Sequence, residues 1–193
     1  MPDAWYEEVD ASTRLTQGDI IINCPLVTWN PQPLQPDVGD ATEGLRAMVD
    51  AVEADVVVMT QACDLEQGKV NNVVLCPHLS LTEFREVWEA DMREHGQTPS
   101  SRAWGSYCKR ICDGYVWNLT ILDMGSSRSL TTEHRIVDFR EIYTVPRDFL
   151  ESLLIRRQQP RLRLLPPYRE HLSQAFARFF MRVGLPVGVT PAW

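Results

Sequence analysis

The chain has 193 residues, 44% hydrophobic and 23% charged, the balance of a single globular domain with a real core. Nineteen basic against 26 acidic residues give a net charge of −7, which excludes a broad phosphate-binding surface and leaves room only for a local one. No apolar run approaches the ~20 residues that cross a bilayer, and the acidic opening MPDAWYEEVDAST lacks the character of a secretory signal, so the expectation is a cytoplasmic protein with no membrane contact.

The first predicted strand is GDIIINC (18–24). Pro25, Pro31, Pro33 and Pro36 then predict an irregular connection, because proline fixes φ and removes a backbone donor. In TEGLRAMVDAVEA (42–54), Leu45, Met48, Val49 and Val52 recur at helical spacing and predict a short helix. Val56–Thr60 reads as a buried strand, and a turn through DLEQGK leads into a further strand over 71–77. Ser80 and Glu83 have the spacing of a capping box, so a helix is predicted over SLTEFREVWEADMREHG, with Phe84, Val87, Trp88 and Met92 as its apolar side and Gly96 as its stop. A weaker helix is expected through RAWGSYCKRIC. Strand character returns in 114–124 and 134–145, rich in β-branched and aromatic residues. The helix RDFLESLLIRR follows Pro146. The last predicted helix, YREHLSQAFARFFMRVG, carries Leu172, Phe176, Phe179 and Val183 on one stripe and stops at Gly184 and Pro186.

Short, locally linked strands around inserted helices predict an α+β fold. The expected form is a small SH3-like β-barrel or curled antiparallel sheet, with core strands near 18–24, 55–61, 71–77, 114–124 and 134–145. A helical insertion (80–113) and C-terminal helices (146–184) complete one domain, 1–193. Regular βαβ alternation and a glycine-rich phosphate loop are both missing, which excludes the Rossmann and P-loop classes.

Gly18–Asp19–Ile20 in QGDIII, the strand DVVVMT ending at Thr60, and the later EHRIVDFREIYTVPRDFLESLL together resemble the outline of the PemK/MazF-like toxin family. That resemblance implies an SH3-like barrel and a partner of RNA or protein, with Thr60 at the strand-end hydroxyl. Where the family carries Arg-Pro, this chain has Ala54–Asp55. A carboxylate therefore replaces the cation that would face a transferring phosphate. The reading is a binding or regulatory module rather than a ribonuclease, with no cofactor, and a homodimer remains open. The segments TQACDL and PYREHLSQAFARFFMRVGLP also resemble a group of uncharacterised bacterial proteins, which implies no activity.

The residues themselves suggest three candidate sites. Cys63 lies just past a strand end between Gln61 and Asp64. A thiol nucleophile there would use Gln61 as an oxyanion donor and a distant base such as His171. The plainer reading is a small apolar residue with Asp64 capping a turn. Cys24, Cys63 and Cys76 fall at predicted strand ends, with His78 two places past Cys76, a Cys₃His set that lacks the paired CxxC spacing of most zinc sites. Finally, His171, Gln174, Arg178 and Arg182 recur every three or four residues on the last helix. With Arg169 they form a stripe that fits RNA, a partner carboxylate or plain solvent.

Overall fold

A computed structural model describes residues 4–30, 46 and 48–181. The centre of the fold is an antiparallel sheet. Strand β2 (Ile20–Trp29) follows a short N-terminal strand, β1 (Tyr6–Val9), and pairs with β3 (Val49–Val58) from Ile20–Val57 to Trp29–Val49. The helix expected over 42–54 is thus corrected from Val49 onward, where the chain is strand; residues 42–45 and 47 lie outside the described part. Val52, Ala54, Val56 and Val58 alternate onto one core cluster. The valine spacing suits either period, and a ten-residue partner strand decides for the ladder.

Pro25 also belongs to β2, so the irregular stretch starts later than its prolines imply; Pro31, Pro33 and Pro36 are outside the described residues. Among the described residues, β2 has a ladder partner on one side only, and such an edge tolerates a missing N–H. The register slips between Ile21 and Cys24, with Asn23 at a φ of 50°. This bulge is held by Arg157, whose guanidinium donates to the carbonyls of Ile22 and Asn23 at 2.7 and 2.5 Å.

After β3 the chain makes a short helix, α1 (Ala62–Glu66), where a turn was expected, and returns as β4 (Asn72–Ser80). The expected hairpin of these two strands is present, with Val57 opposite Cys76. The capping box also forms: Ser80 Oγ accepts from the Glu83 N–H and Glu83 Oε2 from the Ser80 N–H, starting α2 (Leu81–Glu94), and Gly96 (φ 71°) follows its end. Helix α3 (Ser101–Cys112) folds back on α2. Trp88 stands at 5.2 Å from Trp104 and 6.0 Å from Tyr107, so the aromatic side of α2 packs half-buried on α3 and Val87 stays exposed.

Strand β5 (Leu119–Leu122) is much shorter than the expected 114–124, leaving Tyr115 and Trp117 exposed before it. The hairpin β6 (Gly125–Ser127) and β7 (Leu130–Thr132) follows. The single strand expected over 134–145 is broken into β8 (Arg135–Asp138) and β9 (Tyr143–Pro146), which pair with successive halves of β4. The break has a cause. Asp138 turns the chain by accepting from the Arg140 N–H at 2.9 Å, and Phe139 drops into the core, edge-on to Phe176 at 5.5 Å. Helix α4 (Arg147–Arg157), strand β10 (Arg161–Leu164) and helix α5 (Tyr168–Phe180) complete the chain.

The sheet order is β2-β3-β4-β8-β5, with β9 beside β4, and it is open rather than closed into a barrel. β1 and β10 make a separate pair, joined to the start of β2 by one bridge between Asp19 and Arg163. On one face of the sheet, Val56, Val58, Val73 and Leu75 pack with Leu65 of α1 and Leu150 and Leu154 of α4. On the other, Val57, Cys76 and Val137 pack with Tyr6, Leu164 and Leu172. The α2–α3 pair rests on Leu119 and Ile136 through Phe84, Tyr107 and Ile111. The fold is mixed α+β, with five helices among the described residues, none long and apolar enough to cross a membrane.

Candidate functional site

The expected site residues fall in separate places. Thr60 is buried, and its Oγ1 accepts from the Val74 N–H at 2.7 Å, extending the β3–β4 ladder by one bond. The Thr60 oxygen thus serves the sheet. Cys63 is exposed on α1, with its Sγ 3.7 Å from Gln61 Oε1 and 3.8 Å from Asp64 Oδ1. Gln61 offers the sulfur its oxygen, whereas an oxyanion donor would offer its nitrogen. His171 is exposed on α5, whose Leu172 packs on one face of the sheet, while Leu65 of α1 packs on the other. The sheet therefore stands between the thiol and that histidine.

The same logic separates the proposed zinc ligands. Cys24 packs in the cluster on one face and Cys76 in the cluster on the other, each with its thiol pushed up by burial, to about 11 and about 12. Among the described residues, no three His, Cys, Asp or Glu side chains gather as a ligand set. On α5, Arg169 is tied to Glu170 at 2.7 Å and Arg178 lies over the Trp117 ring at 5.4 Å; Gln174 is exposed, and Arg182 lies outside the described residues. Two cations of the stripe are thus already engaged.

What the fold does build is a cleft of about 430 Å³ on the face of the sheet that carries Pro77, Leu79 and Ile136, beside α2. Phe84, Val87 and Tyr143 give it apolar walls. Five carboxylates line it: Glu53 and Asp55 on β3, Glu83 in the first turn of α2, Asp138 at the end of β8, and Glu141 in the β8–β9 turn. Asp138 is matched by Arg140, and Asp55 by Arg135 at 2.7 Å with a further bond from the Asn23 N–H at 2.9 Å. Glu83 is held below the usual carboxylate range, first by its bonding to Ser80. Glu53, Glu83 and Glu141 have no ion-pair partner among the described residues, so the cleft is negative as well as partly apolar.

Beside it, Asp55, His78 and Arg135 form one polar group. His78 is 2% exposed, and neither ring nitrogen makes a hydrogen bond of good geometry. Burial, then the Arg135 charge, drives its pKa down to about 4, while Asp55, the Val56 backbone and Glu83 act the other way. The imidazole is therefore neutral at pH 7, wedged beside an ion pair. Asp55 is part of a salt bridge that fastens β3 to β8.

In the sequence Asp55 and His78 fall at strand ends and Glu83 in a helix cap, and their spacing carries no sign of the cleft that joins them. Its one legible trace was DFRE (138–141), a polar interruption inside a β-branched run. No protein-family model matches this chain, and no curated protein matches it.

Proposed function

We propose that the protein is a binding module on an SH3-like, PemK/MazF-type outline, and that its partner is a cationic segment of another protein held in the cleft beside α2. The observation that carries this reading is the lining: three carboxylates without ion-pair partners among the described residues, next to Phe84, Val87 and Tyr143. Such a surface attracts Lys and Arg side chains and repels phosphate, and its apolar walls accept their methylene stems. The pairing of Arg169 with Glu170 argues in the same direction, because it neutralises one of the α5 cations that RNA would meet.

The test is a pair of titrations at low salt, one with a fluorescent Lys/Arg-rich peptide and one with a single-stranded RNA oligomer. The reading expects saturable, salt-sensitive binding of the peptide and none of the RNA. RNA binding without peptide binding would overturn it and favour a nucleic-acid role.

A further inference from the structure

The second large cavity has the opposite character. It measures about 570 Å³ and lies between the start of β2, the β7 hairpin strand, the first residue of β8, the end of α4 and β10. Its walls are largely apolar, with Ile20, Ile22, Leu130, Leu154 and Leu162 contributing. Three guanidiniums line it, Arg135, Arg157 and Arg161, and no carboxylate does so among the described residues. In a chain of net charge −7, that is a local inversion of sign.

The three cations are not equivalent. Arg161 is committed: its Nε bonds Asp19 and its other nitrogens donate to the carbonyls of Asp10, Thr13 and Arg14. Arg135 is shared, one nitrogen on Asp55 and its Nε on Thr132 Oγ1 at 3.3 Å. Arg157 differs from both. It donates only to the neutral carbonyls of the β2 bulge, so its half-buried charge meets no carboxylate among the described residues. The bulge fixes the guanidinium without neutralising it. A preorganised, uncompensated cation at an apolar cavity is what an anionic head group with an apolar body requires.

We propose that this cavity binds a small amphipathic organic anion, its head on Arg157 with Arg135 nearby and its apolar part against Ile22, Leu130 and Leu162. The volume is in the range of drug-sized ligand pockets, roughly 300–1,000 Å³, which suits a chain or ring system of about ten heavy atoms and is wasteful for a bare inorganic anion. This site stands apart from the acidic cleft, and neither needs the other to exist.

The experiment is isothermal titration of the full chain with decanoate, decanol, decylamine and inorganic sulfate. Decanoate binds one per chain, and the other three bind at least tenfold more weakly. Arg157→Gln lowers decanoate affinity about tenfold, while Arg178→Gln, on the far helix, leaves it unchanged. Should Arg157→Gln unfold the chain, Leu130→Asp serves in its place, since a carboxylate on the apolar wall repels the same ligand. Equal binding of decanol and decanoate would overturn the proposal, as would decanoate affinity unmoved by both Arg157→Gln and Leu130→Asp, or no saturable binding at all.

Discussion

Replacing Asp19 by Asn tests what joins the β1–β10 pair to the sheet. Asp19 is 0% exposed and accepts from Arg161 Nε at 2.8 Å, from Arg163 Nε at 2.6 Å and from the Thr16 N–H at 3.2 Å. Arg161 is itself 4% exposed and roofed by three backbone carbonyls, so it cannot swing out to water when its counter-charge goes. Asn keeps the size and one acceptor but leaves a guanidinium buried without a carboxylate. Breaking a buried pair in this way costs about 3–5 kcal/mol. With a urea m-value of about 2 kcal/mol/M, the unfolding midpoint falls by roughly 1.5–2.5 M. The exposed α2 pair Arg85–Glu89 is the control, and Arg85→Met there costs about 0.3–0.5 kcal/mol. Urea unfolding followed by tryptophan fluorescence reads both. A midpoint for Asp19→Asn within ~0.5 M of the wild type would refute the argument that burial makes this knot indispensable.

Other outcomes follow from the same geometry. The His78 imidazole titrates at about 4 when folded and at its ordinary 6.5 when unfolded. The unfolded chain therefore takes up the proton first, and stability present above pH 6.5 is lost as pH falls toward 4, by roughly 3 kcal/mol over that span. His78→Leu removes this component, so its urea midpoint falls less steeply with pH than the wild type's; parallel profiles would refute the assignment. At Gly125, an added Cβ would stand 2.7 Å from Tyr6 Cδ2, and that ring is buried with its hydroxyl on the Asp123 carbonyl. Gly125→Ala therefore costs about 1–3 kcal/mol in thermal or urea unfolding, and a neutral result would show the ring free to move. Arg135 lines the basic cavity and Asp55 the acidic cleft, and the two are bonded to each other. An anion that takes up Arg135 frees Asp55, so decanoate tightens binding of the basic peptide about two- to tenfold, with the reciprocal effect on decanoate. Identical peptide affinity with and without saturating decanoate would refute the link.

Element type was legible wherever the local signal was strong and single. The capping box at Ser80 and Glu83 and the Leu172–Phe176–Phe179 stripe each gave a helix in its place, though Val183, Gly184 and Pro186 lie outside the described residues. Element type was ambiguous where two periods fit one segment. Val52 and Val56, four apart, share a face in a helix as well as in a strand, and only the partner Ile20–Trp29 resolves them. Short strands were hidden too: β1 and β10 have four residues each, too few to show a period, and RLRL reads as a basic run until Asp19 is seen beneath it. Both cavities were invisible for a related reason. Glu53, Glu83 and Glu141 come from three elements, and Arg135 and Arg157 from two, so no spacing along the chain announces either lining.

Whether the acidic cleft is the docking site is read from titrations of the Lys/Arg-rich peptide into wild type and Glu53→Gln/Glu141→Gln across a salt series. Both glutamates are exposed, so the double variant folds as the wild type does. Affinity of the variant is about three- to tenfold lower at low salt, at up to ~1 kcal/mol per exposed charge, and the two curves converge as salt rises. Undiminished peptide binding by the variant at low salt would contradict docking in the cleft.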